Sequence, residues 1–226
     1  MCAVTSTTTS GATPTAAPRN AARGIDKRRA ILDAAAEVFG EQGYERASVD
    51  AIAAQANVSK PTIYHHFGTK ELLFRESLAE SAARINSESM AAIAALDVGP
   101  DAWRDALYTL ADSLVTCQQS ECAQSLQRQI YAEIKRDPEV FSAVRARAAE
   151  PVIDALAGKL ARLMNAGHLR IADPVLAAKQ LIALTNAEMA DLTKLGTCVA
   201  SPDDVHRAAT AGVDMFLAAF EAPPRV

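Results

Sequence analysis

The sequence predicts an all-α protein of about nine helices, an N-terminal helix-turn-helix unit followed by a larger helical body. Apolar residues recur at helical spacing along most of the chain, and almost no stretch alternates as a strand would. Half of the residues are hydrophobic but only 5% are aromatic, and alanine is abundant, which suits helices packed closely on one another. The segment 48–67, SVDAIAAQANVSKPTIYHHF, reads as two short helices joined by a tight turn.

At 226 residues the chain is long enough for two compact units. Residues 1–24 are rich in Thr, Ala, Ser and Pro and are expected to form a disordered tail. Arg19, Arg23, Lys27, Arg28 and Arg29 close that tail and open the first helix, either as a solvated basic run or as contacts to phosphates and a minor groove. The first helix begins near Asp26, carries Ile31, Ala35, Val38 and Phe39 on one stripe, and stops at Gly43. In the second, Val49, Ile52, Ala53 and Ala56 form the apolar face, Ser48 stands at the N-cap and Asp50 lies in the first turn. Asn57 tolerates the left-handed conformation that ends it.

Ser59 caps the third helix, whose first turn accommodates Pro61. At about 100° per residue, Ile63 and Phe67 face inward, while Lys60, Pro61, Thr62, Tyr64 and His65 face outward. A cation, a hydroxyl, a phenol, an imidazole and a compact ring are the groups that contact phosphates, base edges and the thymine methyl in a major groove. Double-stranded DNA is therefore the partner this surface points to. Adjacent His65 and His66 diverge by about 100° and make a poor metal pair.

Downstream, Thr69 caps a fourth helix running from Lys70 to about Leu96, where Gly99-Pro100 breaks it. Asp101 caps the fifth, with Trp103, Leu107, Leu110, Leu114 and Cys117 along one stripe. The sixth carries Leu126, Ile130 and Ile134 before Asp137-Pro138. The seventh holds Val152, Leu156, Leu160, Leu163 and Met164 and closes at Gly167. Asp173-Pro174 opens the eighth, expected to reach Leu195, and Ser201-Pro202 opens the ninth, with Val205, Ala209, Val213, Phe216 and Phe220. The eighth is apolar nearly all round and must be buried on two sides. A homodimer through the last two helices answers that need.

The net charge of −4 divides unevenly: residues 1–75 carry +2 and residues 76–226 carry −6. A modestly basic head on an acidic body orients on a polyanion. Cys2, Cys117, Cys122 and Cys198 fit neither a zinc motif nor a disulfide scaffold, although Cys117 and Cys122 are close enough in sequence to meet across a turn. No secretory signal or membrane span is evident, so a cytoplasmic protein is expected. No nucleophile–base–acid group, metal-ligand spacing or Gly-rich phosphate loop is present, which argues against an enzyme and calls for no cofactor or metal.

The string ILDAAAEVFGEQGYERASVDAIAAQANVSKPTIYHHFGTKELLF closely resembles the N-terminal domain of the TetR family of transcriptional regulators, over roughly residues 26–75. It departs at Asn57, where the family usually has Gly, and at Pro61, where small residues are commoner. The resemblance implies that Ser48 presents its hydroxyl and backbone N–H to a phosphate. It likewise implies that Lys60, Pro61 and Thr62 face bases, that Ser59, Tyr64 and His65 grip the backbone, and that Lys70 reaches a phosphate. Residues 25–70 would form the DNA-binding domain and 71–222 a ligand-binding and dimerisation domain.

Within the body, YAEIKRDPEVFSAVRARAAEPVIDALAGKLARLMNAGHLRIADPVLAAKQLIAL resembles the AefR-like branch of that family. This implies a body that binds a small apolar or amphipathic effector, often in regulators placed near efflux or detoxification genes. With two recognition helices of a dimer about one duplex turn apart reading a pseudo-palindromic operator, the expected function is a repressor released by that effector. From the residues alone, Leu107, Leu110, Leu114, Leu126, Ile130, Met164, Asn186 and Met189 are the candidates for lining an effector pocket, with Gln118, Gln127, Gln129, Tyr131, His168 and Glu188 as polar neighbours.

Overall fold

The structure, a computed structural model, describes residues 19–223, with side chains from residue 26 onward. Helix α1 spans Arg19–Arg46. It begins upstream of Asp26 because Ala21, Ala22 and Arg23 are good helix formers, and extending an existing helix is far easier than nucleating one. The remainder of the expected tail, residues 1–18, lies outside the described residues. Gly43, at φ 74°, breaks α1 where expected, and the chain makes one more turn to Arg46.

Helices α2 (Val49–Gln55), α3 (Lys60–Phe67) and α4 (Lys70–Ala95) each start on a side-chain cap. Ser48 accepts from the Ala51 N–H at 3.1 Å, Ser59 from Thr62 at 3.3 Å and Thr69 from Leu72 at 3.2 Å. Asn57 adopts φ 51° and so turns the chain between α2 and α3.

In the body, α5 spans Trp103–Gln118 and α6 Glu121–Glu133. Asp101 does not cap α5; Ala102 occupies the cap position, and the Trp103 N–H reaches the Gly99 carbonyl at 3.2 Å. The Gly99-Pro100 turn thus feeds the helix through backbone contacts alone. α7 (Glu139–Val144) continues through a π-helical turn at Arg145–Ala149 into α8 (Glu150–Asn165), making one interrupted rod. α9 (Pro174–Thr185) is capped by Asp173, and α11 (Pro202–Phe220) by Ser201.

The eighth predicted helix does not reach Leu195. It stops at Thr185, and only a single turn, α10 (Met189–Leu192), follows. The Thr185 hydroxyl donates to the Leu181 and Ile182 carbonyls at 3.0 and 3.1 Å, and the Asn186 amide donates to Ile182 at 2.9 Å. Side chains that bond the last carbonyls offer the backbone an alternative to further helix. Counting the α7–α8 rod once and α10 with α9 gives the nine expected helices among the described residues.

The apolar residues form two cores. One runs through α5, α8, α9 and α11, with Leu107, Leu156, Leu160, Leu163, Val213 and Phe216 essentially without solvent contact. The other begins in α1–α3 with Ile31, Phe39, Ile52, Ile63 and Phe67, passes through Leu73, Phe74 and Leu78 of α4, and continues into Leu126, Val140 and Ala148 of the body. The head therefore shares a core with α6, α7 and the π turn.

α9 and α11 approach most closely at Gly212, where an added Cβ would fall 2.5 Å from the Thr185 Cα. Backbone cannot yield as a flexible side chain can. Gly212→Ala should therefore destabilise the fold by about 2 kcal/mol or more, as overpacking does, lowering the melting temperature by several degrees in a calorimetric scan.

Candidate nucleic-acid interface and its coupled cavity

α3 places the predicted outward set as expected. Ile63 and Phe67 are buried, while Lys60, Pro61, Tyr64 and His65 are exposed and Thr62 is half-buried. The Ser59 hydroxyl holds the helix start and also lies 2.8 Å from Thr62 Oγ1. Lys60 Nζ sits 2.9 Å from Asp50 in the first turn of α2, which raises the lysine pKa and joins the starts of the two helices. His66 is half-buried, its ring beside those of His65 and Phe67.

Behind this surface lies a junction that sequence reading did not find. Tyr44 stacks with Phe39 and meets Phe74 edge-on. Its hydroxyl donates to Glu71 at 2.7 Å. Burial first, and the Glu71 bond second, push the phenol up to about 12. The same bond holds the Glu71 carboxyl below its usual range. Lys70 Nζ lies 4.5 Å from the Tyr44 ring centre and the Arg136 guanidinium 3.8 Å from it, both within cation–π reach. One turn along α4, Arg75 grips Asp137 with two bonds of 2.6 and 2.7 Å. Lys70 and Arg136 thus meet on the Tyr44 ring, and Arg75 ties the same helix to Asp137; both body residues follow α6. In the sequence, Asp137-Pro138 reads only as a helix boundary, and nothing local names Arg75 as its partner.

The body holds a cavity of about 390 Å³ between α4, α6, the α7–α8 rod and α9. Leu126 and Ile130 line it, as predicted; Leu107, Leu110, Leu114 and Met164 do not. The first three are fully packed in the α5–α8–α11 core and Met164 leans on it, because the apolar stripe of α5 faces neighbouring helices rather than an opening. Asn186 and Met189 line an adjoining recess of about 260 Å³, which shares Gln118 and Gln127 with the main cavity. Of the other polar candidates, Tyr131 borders that recess, Gln129 borders a third between α1, α4 and α6, His168 stacks on Trp103, and Glu188 pairs with Arg207. Asn86 and Ser89 of α4 line the main cavity and were missed; they are polar residues in a mainly apolar helix. Cys117 donates to the Ile85 carbonyl at 3.1 Å and Cys122 is exposed, both as free thiols. No group of three or more metal-ligating side chains, and no helix long and apolar enough to cross a membrane, occurs among the described residues.

Residues 31–77 match the family model for bacterial regulatory proteins of the tetR family, and residues 105–222 match that for the AefR-like transcriptional repressor C-terminal domain. The chain belongs to the TetR family. This TetR-family regulator is 29% identical to a TetR-family transcriptional regulator of Mesorhizobium loti, with a TM-score of 0.79 over 88% of this chain and 99% of that one. It is 28% identical to the flavonoid-responsive regulator FrrA, with a TM-score of 0.71 over 88% and 98% of the two chains. Among curated relatives, the A-factor receptor protein of Streptomyces griseus is 39% identical over 67 residues, which is 30% of this chain and 24% of that protein. The match to that relative spans only about a quarter of its length.

The Tyr44 junction carries a pH signature. A phenol whose pKa is raised from 10.0 to about 12 contributes stability that is fully present below pH 10 and lost as the pH climbs through 12. Tyr44→Phe should remove that alkaline step and cost about 1 kcal/mol at neutral pH. Thermal unfolding of both proteins across this range measures it.

Proposed function

We propose that this TetR-family regulator is a homodimeric repressor that binds a pseudo-palindromic operator and releases it when a small apolar or amphipathic effector enters the body. The observation that carries the DNA half is α3, capped at Ser59, anchored by buried Ile63 and Phe67, and presenting Lys60, Pro61, Thr62, Tyr64 and His65 outward. On this reading Lys60, Pro61 and Thr62 face bases. Ser48, Ser59, Tyr64, His65 and Lys70 hold phosphates, which position the helix without reading sequence.

Dimerisation is supported by the apolar surface that α9 and α11 leave uncovered, including Leu176 at 51% and Met215 at 60% exposure. Two heads about one duplex turn apart, roughly 34–36 Å, would read successive major grooves. Repression is supported by the AefR-like repressor model that the body matches, and a response to small molecules by the name of FrrA. Placement near efflux or detoxification genes follows from the family branch alone, and a cytoplasmic location from operator binding.

The cavity is the proposed effector site. Its walls draw on both cores: Leu126, Val144 and Ala148 belong to or lean on the core shared with the head, and Val152 and Ile182 to the other. An occupant that contacts one relative placement of those cores better than the other shifts the population toward it. The spacing of the two heads is the quantity that changes. DNA binding is tested by footprinting: a Lys60→Ala, Tyr64→Phe double variant should lose protection of an inverted repeat while still eluting as a dimer. Undiminished protection would sink the assignment.

A further inference from the structure

The cavity's own chemistry narrows what it takes. None of its fifteen lining residues carries an ionisable side chain. Four are polar and neutral: Asn86, Ser89, Gln118 and Gln127. Asn86 is occupied on one side, its amide donating to the Ala148 carbonyl at 3.2 Å, and Gln127 donates to the Tyr131 hydroxyl at 2.8 Å. Ser89 is different. It is only 2% exposed, yet no hydrogen bond joins its side chain to any described residue.

A buried hydroxyl without a partner is costly, and native proteins rarely leave one so. No fully enclosed side-chain polar atom among the described residues lacks a partner, so the Ser89 oxygen keeps some accessible surface, and the cavity that Ser89 lines is the space from which a partner can reach it. The nearest carbonyl a helical serine would use, that of Ile85 four residues back, already accepts from the Cys117 thiol. A hydroxyl lining a mainly apolar chamber is the kind of fixed polar group that orients a small molecule.

Resting on the reading of this cavity as the effector site, we infer that the effector is uncharged at its buried end and places a hydrogen-bonding oxygen or nitrogen against Ser89. A carboxylate or ammonium at that end would leave water without a counter-charge in the wall, and burying an unpaired charge is far more expensive than burying a hydrogen-bonded carbonyl or hydroxyl. The amide of Gln118, with no hydrogen bond to a described residue, supplies a second neutral contact. The volume of about 390 Å³ lies at the small end of the usual range for ligand pockets and suits a compact, two- or three-ring molecule rather than a long chain.

Two fluorescent probes that differ only at one end provide the test: 6-propionyl-2-(dimethylamino)naphthalene, with a neutral ketone, and 6-(dimethylamino)-2-naphthoate, with a carboxylate in its place. The full-length protein should bind the ketone saturably and at least about ten-fold more tightly than the naphthoate. Ser89→Ala should weaken the ketone about five- to ten-fold, the worth of one hydrogen bond, and leave the naphthoate unchanged. Ile130→Trp, which fills the chamber from α6, should abolish ketone binding. Naphthoate binding as tight as the ketone's and equally sensitive to Ile130→Trp would overturn the inference while keeping the cavity as a ligand site. Ketone affinity indifferent to Ser89→Ala would overturn the Ser89 contact. Binding of both probes that survives Ile130→Trp would remove the cavity from the effector reading and the inference with it.

Discussion

A two-bonded ion pair between Arg75 and Asp137 ties the head of this molecule to its body. Asp137 is buried, and the Arg75 guanidinium meets it at 2.6 and 2.7 Å. Removing Arg75 would leave a buried carboxylate without its partner, whereas the Arg75 side chain is partly exposed and can turn to water. The pair matters because the head does not close its own core. Phe74 and Leu78 of α4 face inward to α1 on one side, and the same cluster extends to Leu126, Val140 and Ala148. Arg75–Asp137, with Arg136 on the Tyr44 ring, fixes the end of α6 against the start of α4.

That constraint joins the walls of the cavity to the head. α6 contributes Leu126 and Ile130 to the chamber wall and leads directly to Arg136 and Asp137. On the other wall, Asn86 of α4 holds the Ala148 carbonyl inside the π turn. A π turn breaks the regular hydrogen-bond ladder and is a common device at functional sites. Here it lets a single rod belong to two cores, α7 to the one shared with the head and α8 to the other. The rod and α6 both pack on α4, the helix that begins at Lys70, so an effector response of the kind proposed would pass through α4.

How much of this was legible in the sequence depended on whether the signal was local. Ser48, Ser59 and Thr69 cap as read, and Asp173 and Ser201 cap the helices that Asp173-Pro174 and Ser201-Pro202 were read to open, because a cap needs only its own following turn. Ile63 and Phe67 are buried as their angles required. Asp101 failed because the backbone of Gly99 had already satisfied α5, and α9 stopped at Thr185 because two side chains bonded its last carbonyls. Leu107, Leu110 and Leu114 lie away from the cavity for a different reason. Periodicity shows that Leu107, Leu110 and Leu114 share a buried face; it does not say whether a neighbouring helix or an empty space lies opposite. Long-range partners such as Arg75 and Asp137, 62 positions apart, leave no local trace at all.

The Lys60–Asp50 pair bears on how such a head would discriminate. A cation already paired with a carboxylate 2.9 Å away contributes less to indiscriminate attraction by phosphates, since its charge is partly neutralised before DNA arrives. The whole protein carries −4 and the first 75 residues only +2, so long-range attraction is weak to begin with. Under those conditions, binding relies more on close contacts that only the correct sequence supplies, where an acceptor on a base edge can replace Asp50 as the partner of Lys60. Were Lys60 to face a base as proposed, the carboxylate at the start of α2, which also suits the helix dipole, would have to yield that lysine to the DNA acceptor.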